Sequence, residues 1–124
     1  AELEPGEFAV IEFVIPRSSP FHRRHFAILS AVFDQQERFE DFDQFRDWIT
    51  IGAGWVTWCA GPRGGVVPVP KSISYAKADQ SEFEEYHRKV IDFLRGQHAP
   101  LFLWKKMGND AHWRMDSLLQ EFGE

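Results

Sequence analysis

Apolar positions along the chain fall into runs with two different periods, and each period predicts an element. Phe8 to Ile15 is short, rich in Val, Ile and Phe, and carries one charge at Glu12, which predicts a strand stopped by Pro16. Ser19 suits a helix N-cap, and Pro20 suits the first helical turn, where a missing N–H costs nothing. Phe21, His25, Ile28, Leu29 and Val32 then recur at i, i+4, i+7, i+8 and i+11, with Phe26 and Phe33 widening the stripe. That spacing predicts one face of a helix reaching about Asp34–Gln36.

Glu37 to Asp41 is polar and predicts a turn. Asp41 is placed to cap a second, shorter helix in which Phe42, Phe45, Trp48 and Ile49 share a side, ended by Gly52-Ala53-Gly54. Next, Trp55–Ala60 and Val66–Val69 flank Gly61-Pro62-Arg63-Gly64-Gly65, the pattern of a β-hairpin. Pro68 and Pro70 lack donors, so the second arm belongs at a sheet edge or leaves the sheet early. Ser72-Ile73-Ser74-Tyr75 alternates polar and apolar, as a short strand or extended link does. A third helix is predicted from Asp79, with Glu82 completing a capping box and Phe83, Tyr86, His87, Val90, Ile91 and Leu94 on one face. Gly96 sits where a left-handed cap residue is expected. A last helix is expected from Asn109 or Asp110, with Met115, Leu118, Leu119 and Phe122 on one side.

These elements predict an α+β fold: a small antiparallel sheet, made of the N-terminal strand and the central hairpin, with four helices packed against it. With 124 residues, 44% of them apolar, the chain is expected to form a single domain over 1–124 with a real core. No internal repeat marks a boundary.

Charge changes the picture more than size does. Fourteen Lys plus Arg stand against nineteen Asp plus Glu, a net charge of −5, which argues against a generic nucleic-acid binder and towards protein partners. The acids cluster at Asp34, Glu37, Glu40, Asp41, Asp43 and Asp47, a candidate protein-partner face; a second acidic face runs from Asp79 to Asp92. Arginines concentrate at Arg17, Arg23 and Arg24, around the start of the first helix. Fields are screened beyond roughly 8–10 Å, so an acidic protein still carries a local cationic site. Arg17, His22, Arg23, Arg24, Lys71 and Lys77 form a candidate anion-binding set, since helix N-termini favour phosphate. Ser72 and Ser74 add neutral donors, and Trp55 and Trp58 stack bases if their rings are exposed.

Other chemistry finds little support. His22 and His25 are three apart on a helix but lack further ligands at matching spacing; His87, His98 and His112 are scattered, and no metal or cofactor is expected. His25 lies on the apolar stripe, where a hydrogen-bonded core imidazole is the simpler expectation. No Gly-x-Ser-x-Gly element or phosphate loop occurs, so catalysis is not expected. The single cysteine, Cys59, reads as a buried hydrophobe beside Trp58.

Three segments together resemble a phage family of unknown function from recombination and replication regions. They are Ser19–Asp34, similar to that family's Asn-Pro-x-x-His-Arg-Lys-Phe-Phe-Ala-Leu-Leu pattern, then Phe45–Gly54, then Pro70–Phe83. The resemblance covers residues 17–94 and leaves 95–124 as a divergent helical tail. The family is in turn distantly similar to NinB/Orf-type recombination mediators, which bind single-stranded DNA and help to load recombinase. The resemblance implies that Arg23, Arg24, Lys71, Ser72, Ser74 and Lys77 line a nucleic-acid surface. The expectation is therefore a non-enzymatic phage protein that binds single-stranded DNA or a nucleoprotein complex, as a homodimer given its many aromatics. The alternative is an anti-defence inhibitor, anti-CRISPR-like, that binds a host protein complex through its acidic surfaces. No signal peptide or bilayer-length apolar run is visible, so the host cytoplasm is the expected setting for either.

Overall fold

Seven elements follow one another as α1 (Pro20–Gln35), α2 (Phe42–Gly52), β1 (Val56–Ala60), β2 (Val66–Pro70), α3 (Gln80–Leu94), α4 (His98–Leu103) and α5 (Asp110–Gln120). They belong to a computed structural model that describes residues 20–71 and 80–124. The fold is α+β, as the patterns predict. The strand expected at 8–15, the Ser19 cap, the 72–75 segment and the Asp79 cap lie outside the described residues.

The long periodic stretches become helices close to their expected limits. Helix α1 buries His22, His25, Ile28, Leu29 and Val32. The stripe therefore starts one residue later than expected: His22 takes the first core position and Phe21 is half-buried. Both choices fit a 3.6-residue period, and apolarity alone favoured the wrong one. At α2, Asp41 is the N-cap, its Oδ2 accepting from the Gln44 N–H at 3.1 Å. Beyond its far end the chain reverses through Gly54, whose φ of +81° a side chain would strain. Gly52 also permits a close approach, because a Cβ there would collide with the Phe93 ring of α3.

Strands β1 and β2 pair antiparallel, with Val56 opposite Pro70, Trp58 opposite Pro68 and Ala60 opposite Val66. Gly64 and Gly65 adopt positive φ in the connection, which explains the glycine-rich link. This is the two-stranded sheet of the described residues. Helix α2 packs beside β2.

Two local expectations fail. Gly96 does not adopt the left-handed conformation. Its N–H instead donates to the Phe93 carbonyl at 3.1 Å, tightening the end of α3 just before the chain enters α4. Helix α4 itself was not expected, because Pro100 interrupts its sequence. Pro100 is the third residue of that helix, within the first turn, where no intrahelical N–H is lost. The described helices thus number five, one more than the pattern predicted.

The core is made between helices. Ile28, Leu29 and Val32 of α1 meet Phe45 and Ile49 of α2, Phe83, Val90 and Leu94 of α3, Leu103 of α4, and Met115, Leu118 and Leu119 of α5. Trp104 closes it. Its side chain is 1% exposed, and its indole Nε1–H donates to the Gln35 carbonyl at 2.7 Å, satisfying the C-terminal end of α1. The backbone repeats the join, with the Glu37 N–H donating to the Leu103 carbonyl at 3.0 Å. The segment after Gly96 is therefore part of the core and not an appendage. Replacing Trp104 with Phe should cost about 1–3 kcal/mol in denaturant unfolding, because it strands a helix-end carbonyl and leaves unfilled volume.

Candidate functional site

The cationic helix start separates into residues that face inward and residues that face out. His22, expected to reach phosphate, is 0% exposed and lies against the Phe83 ring with centroids 4.0 Å apart. Burial lowers its pKa, so the ring is held neutral. Arg24, expected in the same role, is engaged internally. Its guanidinium donates to the Glu124 carboxylate at 2.6 Å and to the Phe122 carbonyl at 2.9 Å, fastening the end of the described chain to α1. Both residues are withdrawn from the anion-binding set for that reason. Arg23 and Lys71 are exposed; Arg17, Ser72, Ser74 and Lys77 lie outside the described residues.

His25 is a hydrogen-bonded core imidazole, and the sequence did not reveal its partner. Its Nδ1 stands 2.7 Å from Nδ1 of His87, and His87 Nε2 stands 2.9 Å from Glu124 Oε2. A carboxylate only accepts, so His87 Nε2 carries a proton; with both rings neutral, His87 Nδ1 accepts from His25 Nδ1–H. His25 Nε2 is then a bare lone pair, buried, with no hydrogen-bond partner among the described residues. Burial above all, with the repulsion that a protonated His87 or His22 would add and the Arg24 charge, pushes the His25 pKa from 6.5 down to about 3. Burial works to raise the Glu124 pKa, but hydrogen bonds and charges from His87 and Arg24 outweigh it and hold the group below its ordinary value. His87 occupies the apolar face of α3, four residues after Phe83. A second histidine on a core stripe was the available signal. No group of three or more His, Cys, Asp or Glu side chains among the described residues is arranged to hold a metal ion.

A second exposed feature lies on the hairpin. Paired residues share a face, so Val56, Trp58 and Ala60 line up with Pro70, Pro68 and Val66, and Thr57 and Cys59 with Val69 and Val67. Trp58 is 62% exposed and Val66 65%, and Val67 and Val69 are also exposed. Cys59 is exposed too, contrary to its expected burial, because the ribbon stands outside the helical core. At its base Lys71 places Nζ 5.3 Å from the centroid of Trp55, a half-buried ring packed on Tyr86. Charge singles out the same region. Between Asp47 and Asp79 the sequence contains no acid and three cations, Arg63, Lys71 and Lys77, a segment of +3. The rest keeps eleven basic and nineteen acidic residues, hence −8. Arg63, in the hairpin connection, was not among the expected site residues, although this acid-free span was the signal for it.

Asp34, Glu37, Glu40, Asp41, Asp43 and Asp47 are all exposed. Asp41 is occupied by its cap, and Asp43 stands 3.7 Å from Arg46. Elsewhere, Arg95, Pro100, His112, Trp113, Met115 and Asp116 line an open cleft of about 350 Å³, in which Arg95 pairs with Asp116 at 3.3 Å.

A family described as Protein of unknown function (DUF1367) matches residues 34–102, more than half of the chain. The chain belongs to the DUF1367 family. No curated protein and no solved structure matches it. The DUF1367 span takes in the acidic band, α2, the hairpin, α3 and most of α4, and continues beyond the expected limit at 94. Of the three segments that carried the resemblance, Phe45–Gly54 and Pro70–Phe83 lie inside it, whereas Ser19–Asp34 touches it only at Asp34. No helix among the described residues of this DUF1367 protein is long and apolar enough to cross a membrane.

The histidine network makes stability depend on pH in a definite direction. Below pH 6.5 an unfolded His25 takes up a proton that the folded protein refuses until about pH 3, so stability falls as pH drops through that window. The slope is at most about 1.4 kcal/mol per pH unit. Glu124 acts in the same sense, stabilising the fold above its unfolded pKa and losing that contribution as pH falls through its lowered folded value. His25→Gln should be less stable at neutral pH by about 1–2 kcal/mol and should show a flatter decline towards acid in a pH series of denaturant titrations.

Proposed function

We propose that this DUF1367 member is a non-enzymatic protein that binds single-stranded DNA, or a nucleoprotein containing it, with the β1–β2 hairpin as its contact face. The observation that carries this reading is the exposed Trp58 indole on an acid-free ribbon whose charges, Arg63 and Lys71, are cationic. An aromatic platform flanked by cations is what single strands require, because every base offers a face to stack and every nucleotide a phosphate to neutralise. The contact face thus moves from the helix start to the hairpin; Arg23 and Lys71 remain from the expected set. A phage origin, action in the host cytoplasm and a recombination-mediator role rest on the similarity of Phe45–Gly54 and Pro70–Phe83 to the family pattern, both within the matched span.

Fluorescence titration with a labelled oligonucleotide tests the proposal. Trp58→Ala should weaken binding by about 1–3 kcal/mol, the usual worth of one stacked base. Arg63→Ala/Lys71→Ala should lower the log–log salt slope by about 1.4, or 0.7 per lost phosphate contact. Binding that is absent at ~50 mM salt, or indifferent to these changes, would sink the proposal.

A second reading, an anti-defence inhibitor of a host complex, is favoured by the exposed acidic band on α1 and α2. Under it, Asp34→Asn/Glu37→Gln/Glu40→Gln/Asp47→Asn should abolish recovery of a stoichiometric basic partner from host lysate, while Trp58→Ala should leave it intact. Recovery that follows Trp58 instead would count against this alternative.

A further inference from the structure

Each strand of a two-stranded ribbon has an outer edge, and here the two edges differ. The Lys71 N–H donates to the Trp55 carbonyl at 2.9 Å, and the Gly61 N–H donates to the Gly65 carbonyl at 2.9 Å. Both pairs obey the register that sets Trp58 opposite Pro68. Hydrogen-bonded and non-hydrogen-bonded pairs alternate along an antiparallel ladder. Thr57 and Cys59 therefore bond inward to β2, while Val56, Trp58 and Ala60 turn their backbone groups outward. On β2 the outward positions are Val66, Pro68 and Pro70, and two of these three have no N–H to offer. The β2 edge is closed to a further strand; among the described residues the β1 edge is open. Val56 N–H is already satisfied by the Gly54 carbonyl at 3.1 Å, which leaves the N–H groups of Trp58 and Ala60 as open donors among the described residues.

We propose that β1 pairs antiparallel with β1 of a second copy, giving a four-stranded sheet ordered β2–β1–β1–β2 across a twofold axis. Self-pairing suits this edge for four reasons. A twofold centred on Trp58 or on Cys59 provides an acceptor for all four open donors of the two copies. β1 contains no charged residue, so two chains of net charge −5 approach there without direct like-charge contact. The proline-blocked β2 strands form both outer edges of the resulting sheet, so pairing stops at two copies. A two-stranded hairpin also gains stability from added strands, and this one leaves Trp58, Val66, Val67 and Val69 exposed. The pairing sets the two Trp58 rings on one face of a continuous sheet. It does not depend on the nucleic-acid reading, since it is measured without DNA.

Sedimentation equilibrium of the full chain at roughly 100 µM should show a dimer. Ala60→Pro removes an outward donor at a position where, as at Pro68 and Pro70, no ladder bond is lost. It should weaken dimerisation by about tenfold or more with an unchanged circular dichroism spectrum. Trp58→Lys, which keeps the N–H but sets cations side by side across the axis, should weaken it too. Oxidation reads the register: with the axis at Cys59 the native thiols crosslink, and with the axis at Trp58 the crosslink needs Thr57→Cys. Opposed Cα atoms of a non-hydrogen-bonded pair lie about 4.5 Å apart, within disulfide reach. A monomeric wild type, a folded Ala60→Pro chain as dimeric as wild type, or no crosslink in either case would overturn the proposal.

Discussion

Glu124 receives a charged hydrogen bond from Arg24 of α1 and stands in hydrogen-bond contact with His87 of α3, while His87 is joined to His25 of α1. One carboxylate thus ties together two helices and the segment that follows α5. The constraint it meets is strict. Two histidines of α1 are buried among Phe83, Tyr86 and Phe26, and such rings are tolerable only while neutral. The His25–His87–Glu124 chain meets that condition for His25 by fixing its tautomer and supplying an acceptor. It also consumes the positive charge of Arg24, which a sequence reader assigns to the surface. What looks like a phosphate site at the helix start is largely the inner joint of the protein.

The second aromatic concentration follows the same logic without charge. Phe33, Phe42, Phe45, Phe39, Trp48, Phe93 and Phe102 contact one another where α1, α2, α3 and α4 converge, mostly in tilted or edge-to-face pairs. Arg38 covers the outside, its guanidinium 4.0 Å from the Phe102 centroid and its Nε–H donating to the Phe102 carbonyl at 3.2 Å. With so much aromatic surface absorbed between helices, the hairpin contributes little to the core. Its apolar residues are a surface feature that asks for a functional explanation.

The fold was largely legible because three helices advertise themselves by period or by cap: Asp41 caps α2 as its position implies, and the stripe of α3 is buried as spaced. So are Met115, Leu118 and Leu119 of α5, whereas Phe122 lies past its end and is half-buried. Helix α4 was hidden because a proline usually ends a helix, and only its place in the first turn makes it harmless. The site was much less legible. Pairing of His25 with His87 spans sixty-two residues and depends on how α1 crosses α3, which no local pattern encodes. Arg24 presented the same difficulty, since its partner lies one hundred residues away. Exposure of Trp58 and Cys59 was equally invisible, because an apolar strand reads the same whether or not a helix covers it.

Charge placement was readable and points to the hairpin. An acid-free span of thirty-one residues, 48–78, sits inside the DUF1367 match, flanked by the acids up to Asp47 and those from Asp79. Packing does not require that segregation: Arg63 and Lys71 are exposed, and neither contributes to the core. Helices α1 and α5, which supply His25 and part of the core, lie outside the match apart from the end of α1, whereas α3, with His87 and a large share of the core, lies inside it. The part of this chain that resembles its family is therefore the part that carries an exposed indole, two cations and a strand edge left unpaired among the described residues. A contact surface built there would be separable from the elements that keep the protein folded, so substitutions on the hairpin can test function without first testing stability.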